Sequence, residues 1–413
     1  MTSRLAFYLR SRFWLFIFVC SIPLSSQAFY QWQGDDSELE LRGFFRGVGL
    51  AANNPNDGFL FEQDEVIGAG VFGRLMLDIE WSKLSAEMHV VQSYLGDELR
   101  TGGSRFASLI DVERSDGLHW RYADGHADLV IDRLNVQYQS EHFRLKLGRQ
   151  PINLATTFYF TPNDFFAPFA AQAFFRTYKP GVDAARFEWQ WSDYSQLSLI
   201  AVMDYKSDLS QPTGWRTSPD WSETAYLARA STLTDNFEFG LVTATVSGVD
   251  IIGFDFQGEI FDWFGLRGEG HLRFADEAHI DRDAQFSVAV DKRFQNTLTL
   301  RLEHFYQRLG ANESDDYQLN VQADNQFYLA RNYTAVGASY EFSPLWLGDA
   351  VYLFNHQDAS KLLALYSTYS LSDESELSLG VNIPMGKQPE FGRLKTEFGS
   401  FPHSVTMEFR VYF

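Results

Sequence analysis

Few residues in this 413-residue chain are spaced for bond-making chemistry. Ser140 with His142 sets a hydroxyl two residues from a base, and Asp124, His126 and Asp128 place a histidine between two carboxylates. Neither has the third member or positioning motif that a hydrolase needs. The acidic tract Glu313 to Asp316 and the run 124–128 offer oxygen ligands for a divalent cation, but solvated loop acids account for both more simply. Glycine-rich phosphate loops, dinucleotide fingerprints and CxxC pairs are absent from the sequence. The expectation is no enzyme, no bound metal and no cofactor.

What the sequence offers instead is recognition by charge and aromatic surface. Arg144, Lys146, Arg176, Lys179 and Arg186 surround residues 150–180, which carry Phe158, Tyr159, Phe160, Phe165, Phe166, Phe169, Phe174, Phe175 and Tyr178. A connection of roughly 30 residues is about twice the ordinary upper limit for a loop without a task, and so aromatic a segment must bury itself against something. The elements on either side decide what that is.

From residue 38 onward the pattern has period two. In Ser404 to Phe413, Val405, Met407, Phe409, Val411 and Phe413 share one face, while Thr406, Glu408, Arg410 and Tyr412 share the other. Segments of this kind recur along the whole chain and predict about eighteen strands, with sixteen the alternative. Short turns such as 81–85, 191–195, 233–236, 293–296 and 371–375 alternate with long links at 51–69, 96–125, 151–180, 205–221, 310–330 and 386–401. The brief link near Ser247 is the one exception. Alternating strands with short turns at one end and long loops at the other are the signature of an antiparallel transmembrane β-barrel, apolar outside and polar inside.

The amino terminus fits export. Arg4, Arg10 and Arg12 precede the apolar run Phe13 to Val19, and Ser26, Gln27 and Ala28 supply a cleavage site. Residues 1–28 are expected to be a cleaved signal peptide and residues 29–413 a single barrel domain. The only cysteine, Cys20, leaves with the leader, so the mature chain has neither disulfides nor thiol chemistry. The full chain has a net charge of −20, and loss of three leader arginines deepens it to −23. Such acidity excludes nucleic acid as a partner.

The terminal MEFRVYF, joined to the leader and the alternation, resembles the closing strand of Gram-negative outer-membrane proteins. The resemblance implies insertion by the barrel-assembly machinery into a membrane of outer-membrane lipid and lipopolysaccharide. At finer grain, LKLGRQPI (145–152), TPNDFFAPF (161–169) and RTYKPGVDAARFEWQW (176–191) resemble porin-like channels and alginate-export-type barrels. That resemblance implies a link after the fifth strand that folds into the lumen. On physical grounds the aromatic loop plugs inward, packs on a neighbouring subunit of a homo-oligomer, or lies on lipid, and the first is favoured. Small inward positions at Gly253, Ala335, Gly337 and Ser339 leave it room, and FAPFAAQAFF (166–175) is expected to form a short helix.

The expected constriction is therefore Phe158, Tyr159, Phe160, Asp164, Phe165, Phe166, Phe174, Phe175, Arg176, Tyr178 and Lys179. Inward parity gives Arg42, Arg46, Arg144, Lys146, Arg186, Glu188, Arg301, Glu303 and Arg410 as pore-lining charges. Arg149 shares parity with outward Phe143, Leu145 and Leu147, so it must sit at the interface, follow a bulge or turn inward, with Asp164 and Asp183 as expected partners. The function expected is a channel for passive or gated diffusion of small polar or anionic solutes. Polysaccharide export and a scaffold for a periplasmic partner are the alternatives.

Overall fold

The computed structural model describes residues 29–55, 60–61, 63–97, 121–124, 126–173, 178–205, 219–261, 263–274, 283–317 and 328–413. The expected leader and the loop residues Phe174, Phe175 and Arg176 lie outside the described residues.

The strands are β1 (Tyr30–Gln33), β2 (Ser37–Asn53), β3 (Glu65–Trp81), β4 (Leu84–Leu95), β5 (Arg121–Asp124), β6 (Ala127–Gln139) and β7 (Phe143–Gln150). After the long loop come β8 (Val182–Ser192), β9 (Ser195–Tyr205), β10 (Pro219–Thr234), β11 (Phe237–Val246), β12 (Val249–Ile260), β13 (Phe264–Phe274) and β14 (Asp283–Arg293). The last six are β15 (Thr299–Gln307), β16 (Asn332–Ser343), β17 (Trp346–Asn355), β18 (Lys361–Ser372), β19 (Ser375–Met385) and β20 (His403–Tyr412). Leaving aside the short β1 and β5, these form one antiparallel barrel of 18 strands, closed by β2 against β20 from Phe44↔Tyr412 to Asn53↔His403.

Both short strands complete edges. Beyond Phe413, whose N–H and carbonyl pair with Gly43, the edge of β2 is taken over by β1 from Tyr30↔Leu41 to Gln33↔Glu38. Likewise β5 pairs with β6 at residues 127–130, past the point where β7 has left it. A spanning sheet tolerates no unpaired edge in hydrocarbon, which is why the barrel closes.

Alternation determines which way each side chain points. On β3, Val66, Phe72 and Met76 are buried while Ile67, Val71 and Leu75 lie on the exposed outer surface. So much exposed apolar surface suits lipid and would be unfavourable in water. Trp81, Trp189, Trp191, Trp263 and Trp346 collect near the short turns, where an aromatic girdle meets the membrane interface. The exceptional link at the long-loop end is a two-residue turn, Ser247 and Gly248, with φ of 49° and 72°, the left-handed pair that suits the twist of a hairpin. Among the described residues no helix is long and apolar enough to cross a membrane.

Candidate functional site

The described residues from 151 leave β7, the fifth barrel strand, and reach β13, β15 and β16 through residues 156–163. Their root is made by Gly148 and Arg149. Gly148 has φ of 110°, and a Cβ there would collide with the Leu134 carbonyl. This left-handed step interrupts the regular pleat at the strand's end, and Arg149, of outward parity, is 2 % exposed. At the root Lys179 forms an ion pair with Asp164, and Asp183, opposite Arg149 in the β7–β8 register, accepts the Tyr205 hydroxyl at 2.8 Å. Burial disfavours both charges of that pair, pushing the Asp164 carboxyl up and the Lys179 ammonium down, against their mutual attraction.

Two carboxylates on the far wall hold the loop by its backbone. Glu303 of β15 accepts the N–H groups of Phe158 (2.8 Å), Tyr159 (3.1 Å) and Phe160 (2.6 Å), and the Ser287 hydroxyl at 2.9 Å. Glu269 of β13 accepts the N–H groups of Thr156, Thr157 (3.2 Å) and Asn163 (3.2 Å). A chain crossing a lumen has no strand partner for its amides, and these carboxylates satisfy six of them. Glu303, expected to line the pore, is thus 0 % exposed and covered by the loop.

Apolar packing completes the attachment. Phe160 stacks on Phe305 at 5.0 Å and meets Tyr328 edge-on at 5.1 Å. Tyr159 and Phe160 join Ala330, Tyr333, Ala335, Leu353, Leu362 and Phe398 in one buried cluster. The small inward residues make room as expected: a Cβ on Gly337 would overlap the Tyr159 hydroxyl. Burying one large aromatic side chain contributes roughly 1.5–3 kcal/mol. No helix forms over the described part of 166–175. Pro168 lacks an N–H, and the Ala171 N–H is taken by the Tyr328 hydroxyl at 2.7 Å.

The last link, between β19 and β20, reaches inward too. Glu397 is fully buried, accepts the Leu329 N–H (3.0 Å), Asn355 Nδ2 (2.9 Å) and the Tyr333 hydroxyl, and so ties three connections together. Sequence reasoning marked neither Glu397 nor Glu269 as an anchor. For Glu397 the signal is a lone acid in a link without strand partners; Glu269 sits within β13, where alternation gives its side and nothing more.

At the other end of the loop, Tyr178 stacks on Phe44 (5.5 Å) with the Arg74 guanidinium over its ring (4.2 Å). Phe165 meets His271 edge-on at 5.3 Å and Phe166 at 6.4 Å. Phe158 lies between Arg267 (4.7 Å) and Arg301 (5.1 Å). Beside it a cavity of about 320 Å³ runs between Phe158, Gln172 and the wall residues Arg301, Asp349 and Tyr366.

Most inward cations are paired. Arg42 meets Asp78 (2.9 Å), Lys146 meets Glu87 (3.0 Å), and Arg144 (3.1 Å) and Arg186 share Glu188. Arg46 (3.8 Å) and Arg410 (2.6 Å) share Glu408. Arg301 is held instead by the Ser339 hydroxyl at 2.8 Å, with no carboxylate within ion-pair distance among the described residues. The hydrolytic candidates stay apart from all this: the Ser140 hydroxyl closes its own turn on Phe143, and His126 bonds the Leu95 carbonyl at 3.1 Å.

No protein-family model matches the sequence, and no curated protein matches it. Solved structures do. The chain is similar to Acinetobacter baumannii OccAB1 at TM-score 0.58 and 8% identity, over 91% of this chain and 96% of that one. It is similar to a BenF-like porin from Pseudomonas fluorescens Pf-5 at 0.58 and 11%, over 91% and 98%. Against Pseudomonas aeruginosa OccD3 (OpdP) the values are 0.54 and 12%, over 94% and 93%. At such identity the likeness is one of fold, along the whole barrel.

Proposed function

We propose that the barrel is an outer-membrane channel through which small polar or anionic solutes diffuse passively past the inward loop. One observation carries the reading: the loop is fixed to the far wall by Glu269 and Glu303, yet a gap with Arg301 and Asp349 in its wall remains beside it. A plug would fill that gap. An apolar exterior with an aromatic girdle supports a place in the outer membrane, and the BenF-like porin among the fold relatives supports a channel. Arg301 gives a passing anion a partner without first breaking an ion pair.

Purified protein in a planar bilayer is expected to show discrete conductance steps, enlarged when residues 158–178 are deleted. Steps absent from both proteins would refute the channel. Steps in the deletion alone would assign the loop as a plug and favour a scaffold.

A further inference from the structure

The outer rim of β15 to β17 carries a side-chain group that solute passage does not use. His304 on β15, Thr334 on β16 and His356 just beyond β17 lie on the outward face at the long-loop end, with both histidines exposed. Nδ1 of His304 stands 3.1 Å, and Nε2 of His356 2.8 Å, from the same Thr334 hydroxyl. The imidazole centroids are 5.6 Å apart, and Phe354 braces the His356 ring edge-on at 4.8 Å.

A hydroxyl has one proton, so Thr334 donates to one ring nitrogen and accepts from the other. The result is two imidazole nitrogens converging on one point from a rigid three-strand platform. In a site with metal–nitrogen bonds of about 2.0–2.1 Å, neighbouring ligand atoms are roughly 3 Å apart. Each nitrogen stands about that far, 3.1 and 2.8 Å, from the Thr334 hydroxyl, so both rings face one point and an ion held by both lies beside that oxygen. Imidazole donors suit zinc, copper and nickel, whereas calcium and magnesium require oxygen.

We propose that His304 and His356 form a binding site for a borderline divalent transition metal of the zinc and copper class. The two imidazole nitrogens are the protein ligands, Thr334 positions them, and water completes the coordination. The site stands or falls independently of the channel reading.

The test uses untagged full barrel in detergent, titrated with Cu²⁺, Zn²⁺ and Mg²⁺. One equivalent of Cu²⁺ or Zn²⁺ is expected, with copper electron paramagnetic resonance showing two imidazole nitrogens, and no binding of Mg²⁺. His304→Ala and His356→Ala should each weaken binding at least about tenfold, and Thr334→Val less, with heat-modified gel mobility confirming an intact barrel. Failure of the wild type to bind, or unchanged affinity in the double variant His304→Ala/His356→Ala, would overturn the proposal.

Discussion

Replacing Glu303 by glutamine tests whether a carboxylate holds the constriction. Its two oxygens take four donors: the N–H groups of Phe158, Tyr159 and Phe160 and the Ser287 hydroxyl, at 2.8, 3.1, 2.6 and 2.9 Å. Glutamine keeps the shape but presents an NH₂ where one oxygen stood, so at least one buried loop N–H then faces a donor. An orphaned buried group costs about 1–3 kcal/mol, and three remaining bonds lose about 1 kcal/mol each with the charge. The sum, about 4–6 kcal/mol, corresponds to roughly three to four orders of magnitude in the ratio of held to released loop. Glu269 still binds Thr156, Thr157 and Asn163, so release is expected to be confined to Phe158–Phe160. Single-channel recording of Glu303→Gln should show a larger mean conductance and more open-level noise, with the folded barrel unchanged in heat-modified mobility. Conductance and noise equal to wild type would refute the argument that the carboxylate sets the loop.

Three further outcomes are expected. Gly337→Val places atoms where the Tyr159 hydroxyl lies, so the loop must shift and single-channel conductance should change while the barrel still assembles. Arg301→Gln removes an inward cation lacking a carboxylate partner among the described residues, so the reversal potential in a potassium chloride gradient should move toward cation selectivity, and Arg301→Lys should preserve it. Asp164→Ala strands the buried Lys179 ammonium at about 3–5 kcal/mol, seen as a lower thermal midpoint and faster tryptic cleavage of the loop; the paired change Asp164→Leu/Lys179→Met should restore much of the loss.

Strand number, loop position and lumen space were legible because each follows from a local rule. Period-two alternation sorts Ile67 from Val66 without knowledge of the partner strand, and Gly337 and Ala335 announce a close approach by what they lack. Arg149 could be given only as three alternatives because parity assumes an unbroken pleat, and Gly148 breaks it. Over the described part of 166–175 the expected helix is absent for a related reason: composition favoured it, but the Ala171 N–H that a helix would use is taken by the Tyr328 hydroxyl. Partners for Glu269 and Glu303 were illegible, because alternation gives the side of a residue and not its depth. A carboxylate hydrated in a lumen and one receiving three backbone amides occupy identical places in the pattern.

That distinction bears on selectivity. Counting inward charges gives a strongly mixed lumen, yet the pairs Arg42–Asp78, Lys146–Glu87 and Arg229–Asp255 cancel at 2.9, 3.0 and 2.6 Å. At physiological salt, fields fade over about 8 Å, so to a solute such pairs act as dipoles and not as charges. Glu303 and Glu269 are withdrawn beneath the loop. The net charge of −20 therefore does not make an acidic passage. Beside Phe158 stand Arg267, 3.7 Å from Asp291, and Arg301, which shares the cavity wall with Asp349. Burial under the loop thus takes two carboxylates out of the inward charge count, and the balance at the cavity lies between Arg301 and Asp349.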